Sequence, residues 1–288
     1  MSRRPFFLGV GAQRSGTTWI GHYLRSLPDV NFSPLKEVNF FDSKYVEGRK
    51  GAILVPVNTR LAILGLGNFT RRRPISGLRL CYHYAGMRRL KDSSYRAYFD
   101  VLRQNGKVAG EICPSYAMLE ADSISKMEQL LDQPNYFFIM RNPVDRLVSQ
   151  YSFLQSNKRL ETPKGNSLDD ALHALCAQSQ YTDYARSLSA YREVIPRERF
   201  LTLFTENLFD PSQTQVQCDR LCDFLGVRTK KAPVKNEVNR APSVVLSDEI
   251  RRGLVGKLSA VYTEVGRLYG TELPASWRSD LKLLETGA

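Results

Sequence analysis

A glycine-rich loop, Gly11-Ala12-Gln13-Arg14-Ser15-Gly16-Thr17-Thr18, lies between an apolar run ending at Val10 and an amphipathic stretch from Trp19 to Leu27. An apolar strand that feeds a glycine loop and then opens a helix leaves few folds available. Loop N–H groups and the helix N-terminus converge on one anion-sized space. The spacing is that of a Walker A phosphate loop, except that Thr17 stands where the lysine belongs. Arg14 offers a cation instead. The loop reads as a phosphate cradle, but not as that of an ordinary ATP or GTP site.

The rest of the chain repeats the same alternation. Residues 5–10, 108–112, 136–140 and 200–204 are short apolar runs of strand length. Helical periodicity covers 17–27, 95–104, 124–131, 144–154, 168–177, 183–194, 216–225 and 247–268. Strands alternating with helices imply right-handed crossovers. The expected fold class is therefore α/β: a P-loop-like three-layer fold with a mostly parallel central sheet flanked by helices. No linker divides residues 1–288, so one domain is expected, with 44–97 as an irregular insertion or lid. Residues 33–42, 158–167 and 228–245 read as loops, and the tail from Gly270 as short and polar.

Forty-one lysines and arginines against 29 aspartates and glutamates leave a formal charge of +12. Such an excess suits an anionic ligand, and equally a generally basic, soluble surface. No apolar run is long enough for a membrane span, and the basic N-terminus does not continue as a signal peptide. Five scattered cysteines without a CxxC pair, and three separate histidines, point to a reducing cytoplasm and to no metal site. Cys218 and Cys222, one helical turn apart, are expected in the core.

A second anchor starts where the 136–140 run ends: Arg141-Asn142-Pro143-Val144-Asp145-Arg146-Leu147-Val148-Ser149. Ligands of open parallel sheets gather beyond the carboxyl ends of the strands. Arg141 brings a planar fork of donors and Ser149 a hydroxyl, which suits a second phosphate. The alternative is a solvated helix on which Asp145, Arg146 and Ser149 simply face water.

Taken together, the two anchors resemble the sulfotransferases that use 3′-phosphoadenosine 5′-phosphosulfate (PAPS), in their bacterial and heparan-sulfate-type branch. Lys36-Glu37-Val38-Asn39-Phe40-Phe41-Asp42, Glu111-Ile112-Cys113-Pro114-Ser115-Tyr116 and Phe224-Leu225-Gly226-Val227 carry the same resemblance. It implies that Gln13, Arg14, Ser15, Gly16, Thr17 and Thr18 hold the 5′-phosphosulfate, and that Arg141 and Ser149 hold the 3′-phosphate. Lys235, within 228–242, would belong to a loop that closes over the 3′-phosphate and adenine. The resemblance further implies a transferase that needs no metal and moves a sulfuryl group from PAPS to a hydroxyl by in-line displacement. The catalytic set it implies is Glu37 as base, Arg14 beside the bridging oxygen, and Lys36 as a second cation.

Two departures from the heparan-type pattern are Asn39, where histidine is common, and Ile112, where lysine is common. Glu37 would serve as base if Phe40 and Phe41 partly desolvate it; otherwise it is a surface charge paired with Lys36. Tyr181 and Tyr184 are candidates either for the adenine or for the core. His83 is a distant alternative base. The acceptor is expected to be a carbohydrate, with the triplet Arg71-Arg72-Arg73 suggesting an acidic glycan, or a small metabolite. Neither nucleic acid nor stable membrane insertion is expected. A P-loop kinase, or another nucleotide-dependent phosphotransferase, is the alternative enzyme; it lacks the lysine at Thr17. A basic nucleic-acid-binding protein fits the charge but shows none of the usual motifs.

Overall fold

The computed structural model describes residues 6–35, 37–49, 74–103, 106–157, 167–178, 180–233 and 244–285. Five strands form one all-parallel sheet: β1 (Phe6–Gly11), β2 (Val30–Phe32), β3 (Val108–Ile112), β4 (Asn135–Met140) and β5 (Phe200–Phe204), in the order β2-β3-β1-β4-β5. Every residue of β1 and β3 is buried, as expected of parallel strands covered on both faces. Side chains alternate between two cores. Phe6, Leu8, Val10, Tyr136, Phe138 and Met140 enter one; Phe7, Phe137 and Ile139 enter the other.

The helices, in chain order, are α1 (Thr17–Ser26), α2 (Phe40–Tyr45), α3 (Pro74–Met87), α4 (Asp92–Leu102), α5 (Ala121–Leu131), α6 (Pro143–Ser156), α7 (Leu168–Gln178), α8 (Tyr184–Val194), α9 (Thr205–Phe209), α10 (Thr214–Leu225), α11 (Asp248–Lys257), α12 (Ser259–Tyr269) and α13 (Ala275–Glu285). Trp19, Ile20 and Leu24 of α1, Leu208 of α9, and Cys218, Leu221 and Cys222 of α10 fill the core on one side of the sheet. The larger core on the other side takes side chains from α4 to α8 and from α11 to α13. The three layers are thus those expected.

Several local expectations change. Within 44–97, the described part is largely helical: α3 and the start of α4 are regular, while 50–73 lie outside the described residues. The short β2 and α9 fall outside every expected strand or helix, and α2 begins inside the expected loop 33–42, because three to six residues carry too little periodicity to show. The single helix expected over 247–268 is two, α11 and α12, broken at Leu258, and the apolar spacing runs on across the break. The tail is not a polar appendix. It forms α13, whose Trp277 is fully buried and whose Asp280 is 1% exposed.

Close strand packing makes Gly110 irreplaceable. A Cβ there would come within 2.3 Å of the Phe7 carbonyl oxygen, which is backbone and cannot rotate away. Gly110→Ala is expected to destabilise the protein by about 3 kcal/mol or more. Urea unfolding would measure this, and an unchanged midpoint would contradict it.

Candidate functional site

All five strands are parallel, so the loops after β1, β2, β3 and β4 emerge on one edge. β1 is flanked by β3 and β4, the position where the chain order reverses and where crevices open in such sheets. The glycine loop lies there. Gly16 adopts a left-handed φ of 83° just before α1, and a Cβ on it would meet the Phe209 ring at 2.8 Å. No side chain caps α1, so its first N–H groups face the loop with no partner inside the helix. The Thr205 hydroxyl donates to both the Ser15 and Met140 carbonyls, each at 3.0 Å, and ties the loop to the tip of β4.

The second anchor meets the first here. Arg141 Nη1 donates to the Arg14 carbonyl at 3.3 Å. Arg14 Nε donates to Ser149 Oγ at 3.2 Å, a contact between residues 135 apart in sequence. The Arg14 guanidinium also lies 4.6 Å over the Phe153 ring. Among the described residues, neither arginine has a carboxylate partner. Burial, and then the charge of Arg141, lower the Arg14 pKa. Two half-buried cations side by side repel one another until an anion separates them.

A buried polar network braces the β4 tip. The Tyr184 hydroxyl donates to the Arg141 carbonyl at 3.0 Å, so this tyrosine belongs to the core and not to an open face. The Asn142 side chain caps α6 by accepting from the Asp145 N–H, and its amide donates to Asp280 at 2.7 Å. Arg251 bonds both Asp280 and Asp145. Glu206, its pKa raised by burial, accepts from the Asn142 N–H at 2.7 Å. Arg146, which the solvated-helix alternative would expose, is instead fully buried and donates to Thr182 at 2.9 Å.

Glu37 lies on the same edge, in the segment that joins β2 to α2, and is half-buried. Phe40 and Phe41, expected to desolvate it, lie in the core. Both rings are fully buried against Tyr95, with centroids at 4.6 and 4.8 Å. The Tyr95 hydroxyl and that of Tyr116 bond the carboxyl of Glu111, which is wholly buried and pushed up to about 7, chiefly by desolvation. Asn39 acts as a hydrogen-bond acceptor, taking the Cys113 thiol at 3.1 Å and the Ser115 hydroxyl at 3.0 Å. Arg49 bonds Asp42 at 2.7 Å and Tyr181 at 3.1 Å, beside this segment. Lys36, Lys235 and Arg71 to Arg73 lie outside the described residues. Gln13, Thr17 and Thr18 fall within the loop and the first turn of α1, as expected.

Glu111 makes stability depend on pH with a definite sign. Its pKa is higher when folded, about 7, than the ordinary 4.5, so the folded state holds a proton the unfolded state has released. Stability is then largest below the ordinary value and falls as pH rises toward about 7. Relative to Glu111→Gln, which does not titrate, the wild type is expected to lose about 3 kcal/mol across that window. Denaturant titrations of both proteins at several pH values would check this; parallel stability curves would refute it.

Phe153, Thr205 and Glu206 escaped the sequence reading because each owes its place to tertiary contact. Glu111 stood inside a quoted motif, and its position among tyrosines was the available clue.

Comparison with known proteins gives a consistent picture. Residues 5–243 match the family described as "Sulfotransferase domain". A 160-residue stretch is 24% identical to the membrane-associated sulfotransferase kil1 of Dictyostelium discoideum, covering 55% of this chain and 25% of that protein. The match thus spans about a quarter of that relative's length. In structure, the chain is similar to a sulfotransferase from Alicyclobacillus acidocaldarius, with a TM-score of 0.64, 22% identity, and coverage of 96% of this chain and 100% of that one. It is also similar to a sulfotransferase domain from the curacin biosynthetic pathway, with a TM-score of 0.55, 17% identity, and coverage of 80% and 77%. Among the described residues, no helix is long and apolar enough to cross a membrane.

Proposed function

We propose, given that this chain belongs to the sulfotransferase family, that it transfers a sulfuryl group from PAPS to a hydroxyl of a carbohydrate or small-metabolite acceptor, without a metal ion. The observation that carries the reading is the meeting of Arg14, Arg141 and Ser149 beside an uncapped helix N-terminus, with no carboxylate on either arginine among the described residues. Cations that close need anions between them, and a nucleotide phosphorylated at both 5′ and 3′ positions supplies two.

The meeting of the two anchors supports the following roles. The loop N–H groups and Arg14 take the 5′-phosphosulfate; Arg141 and Ser149 take the 3′-phosphate. The acceptor oxygen forms the new bond to sulfur as the bond from sulfur to the phosphate oxygen breaks. Its proton passes to Glu37. Negative charge grows on the departing phosphate, where Arg14 is preorganised to meet it. Lys36 and Lys235 are assigned to the sulfonate and to the closing loop.

Adenosine 3′,5′-bisphosphate without Mg²⁺ is expected to raise the melting temperature. Stabilisation by Mg-ATP alone would favour a kinase, and by oligonucleotide alone a nucleic-acid-binding protein. Arg141→Ala is expected to weaken the bisphosphate about ten- to a hundredfold, the worth of a charge-assisted hydrogen bond. Adenosine 5′-phosphate should be much less affected. Equal weakening of both would mean that Arg141 does not read the 3′ group. Screening acceptors with radiolabelled PAPS would identify the second substrate.

A further inference from the structure

Glu111 is buried, titratable and outside the roles assigned above. Its Oε2 accepts the Val38 N–H at 3.1 Å. Its Oε1 accepts the Tyr95 hydroxyl at 2.6 Å and the Tyr116 hydroxyl at 3.0 Å. The Tyr116 hydroxyl in turn accepts the Phe40 N–H at 3.2 Å. Two backbone amides of one short segment are therefore fastened to one carboxylate and its tyrosine.

The residues between those amides show what the fastening does. Glu37 and Asn39 both adopt left-handed backbone, with φ of 53° and 55°. Neither is glycine, so this conformation persists only where the surroundings impose it. Strained and fastened positions alternate along the segment: Glu37, Val38, Asn39, Phe40.

We infer that Glu111, together with Tyr95 and Tyr116, is a positioning unit that holds the Glu37–Phe40 segment in its left-handed path and thereby aims the Glu37 carboxylate at the acceptor. The inference rests on Glu37 being the base. Glu111 itself touches no substrate. It does this best when ionised, because a charged acceptor strengthens all three of these hydrogen bonds and a proton on either oxygen weakens them. The groups facing it are Tyr95 and Tyr98 from α4, Asp42 from α2, and Cys113 and Tyr116 from the end of β3, all acids.

The test uses the full chain and the variants Glu111→Gln, Tyr116→Phe and Tyr95→Phe, the last two being milder should the first fold poorly. Amide exchange over residues 37–41 is measured at pH 8, together with bisphosphate affinity and turnover of the screened acceptor. Exchange is expected to rise, and kcat to fall, by about tenfold in Glu111→Gln and Tyr116→Phe, with nucleotide affinity unchanged. Wild-type kcat should decline as pH drops through about 7, and Tyr95→Phe, by removing a donor to the carboxylate, should move that decline to higher pH. Unchanged exchange, or unchanged kcat and pH profile in all three variants while Glu37→Gln is inactive, would overturn the inference and leave the base in place. A fully active Glu37→Gln beside impaired Glu111 variants would instead remove Glu37 as base and leave the positioning of the segment standing.

Discussion

Glu37→Gln is expected to turn over at least about a hundredfold more slowly than the wild type, with bisphosphate affinity within about twofold. Glutamine keeps the shape of the side chain and loses the capacity to take a proton. General base catalysis contributes roughly 10²- to 10⁴-fold, so the loss should be unmistakable in a steady-state assay. The segment around Glu37 is fastened through the Val38 and Phe40 backbone amides, which the substitution leaves in place. Affinity therefore serves as the control. If turnover is unchanged, Glu37 is not the base. If affinity collapses with turnover, the substitution has disturbed the nucleotide cradle, and the kinetic loss says nothing about proton transfer.

Arg14→Ala is expected to lower kcat by about 10²- to 10³-fold, the usual range for one donor aimed at charge that develops in the transition state. Two features of this arginine make the loss specific. Its guanidinium is stacked on Phe153 and bonded to Ser149, so it is already oriented before a ligand arrives. Its pKa is lowered by burial and by Arg141, which marks a cation short of counter-charge. A cation of that kind gains most where negative charge appears. Arg14→Lys should recover little, since an ammonium cannot bond Ser149 and also present a planar fork to a phosphate. The measurement is the split between kcat and KM for PAPS. A raised KM with unchanged kcat would make Arg14 a ground-state binder and nothing more.

Much of this architecture was legible before any coordinates. The dense apolar runs at 136–140 and 200–204 are strands because only a sheet buried on both faces uses such continuous hydrophobicity. The glycine loop could be placed because Gly16 needs a backbone that other residues resist. The placing of both anchors at strand ends was legible in the sequence; the direct bond from Arg14 to Ser149 that joins them was not. What escaped was of two kinds. Short elements such as β2 and α9 are made by their neighbours and not by their own periodicity. Buried polar groups such as Asp280 and Glu206 look like surface charge in a sequence, since nothing in the linear pattern tells a solvated acid from one enclosed by Arg251, Tyr262 and Asn142. The two phenylalanines after Glu37 drew attention to that residue, whereas the carboxyl found in the core beside them is Glu111, bonded by the Tyr95 and Tyr116 on which Phe41 packs.

The bond from Asn142 to Asp280 joins positions 138 residues apart. A chain emerging from the ribosome can therefore lay down the glycine loop, the sheet and Arg141 long before anything steadies the tip of β4. Until α13 docks, the Asn142 amide and the Tyr262 hydroxyl lack the carboxylate they share, and Trp277 has not filled its place. Order at the tip of β4 thus waits on α13, and a fragment cut before Ala275 would hold both anchors yet lack the brace that keeps them in register.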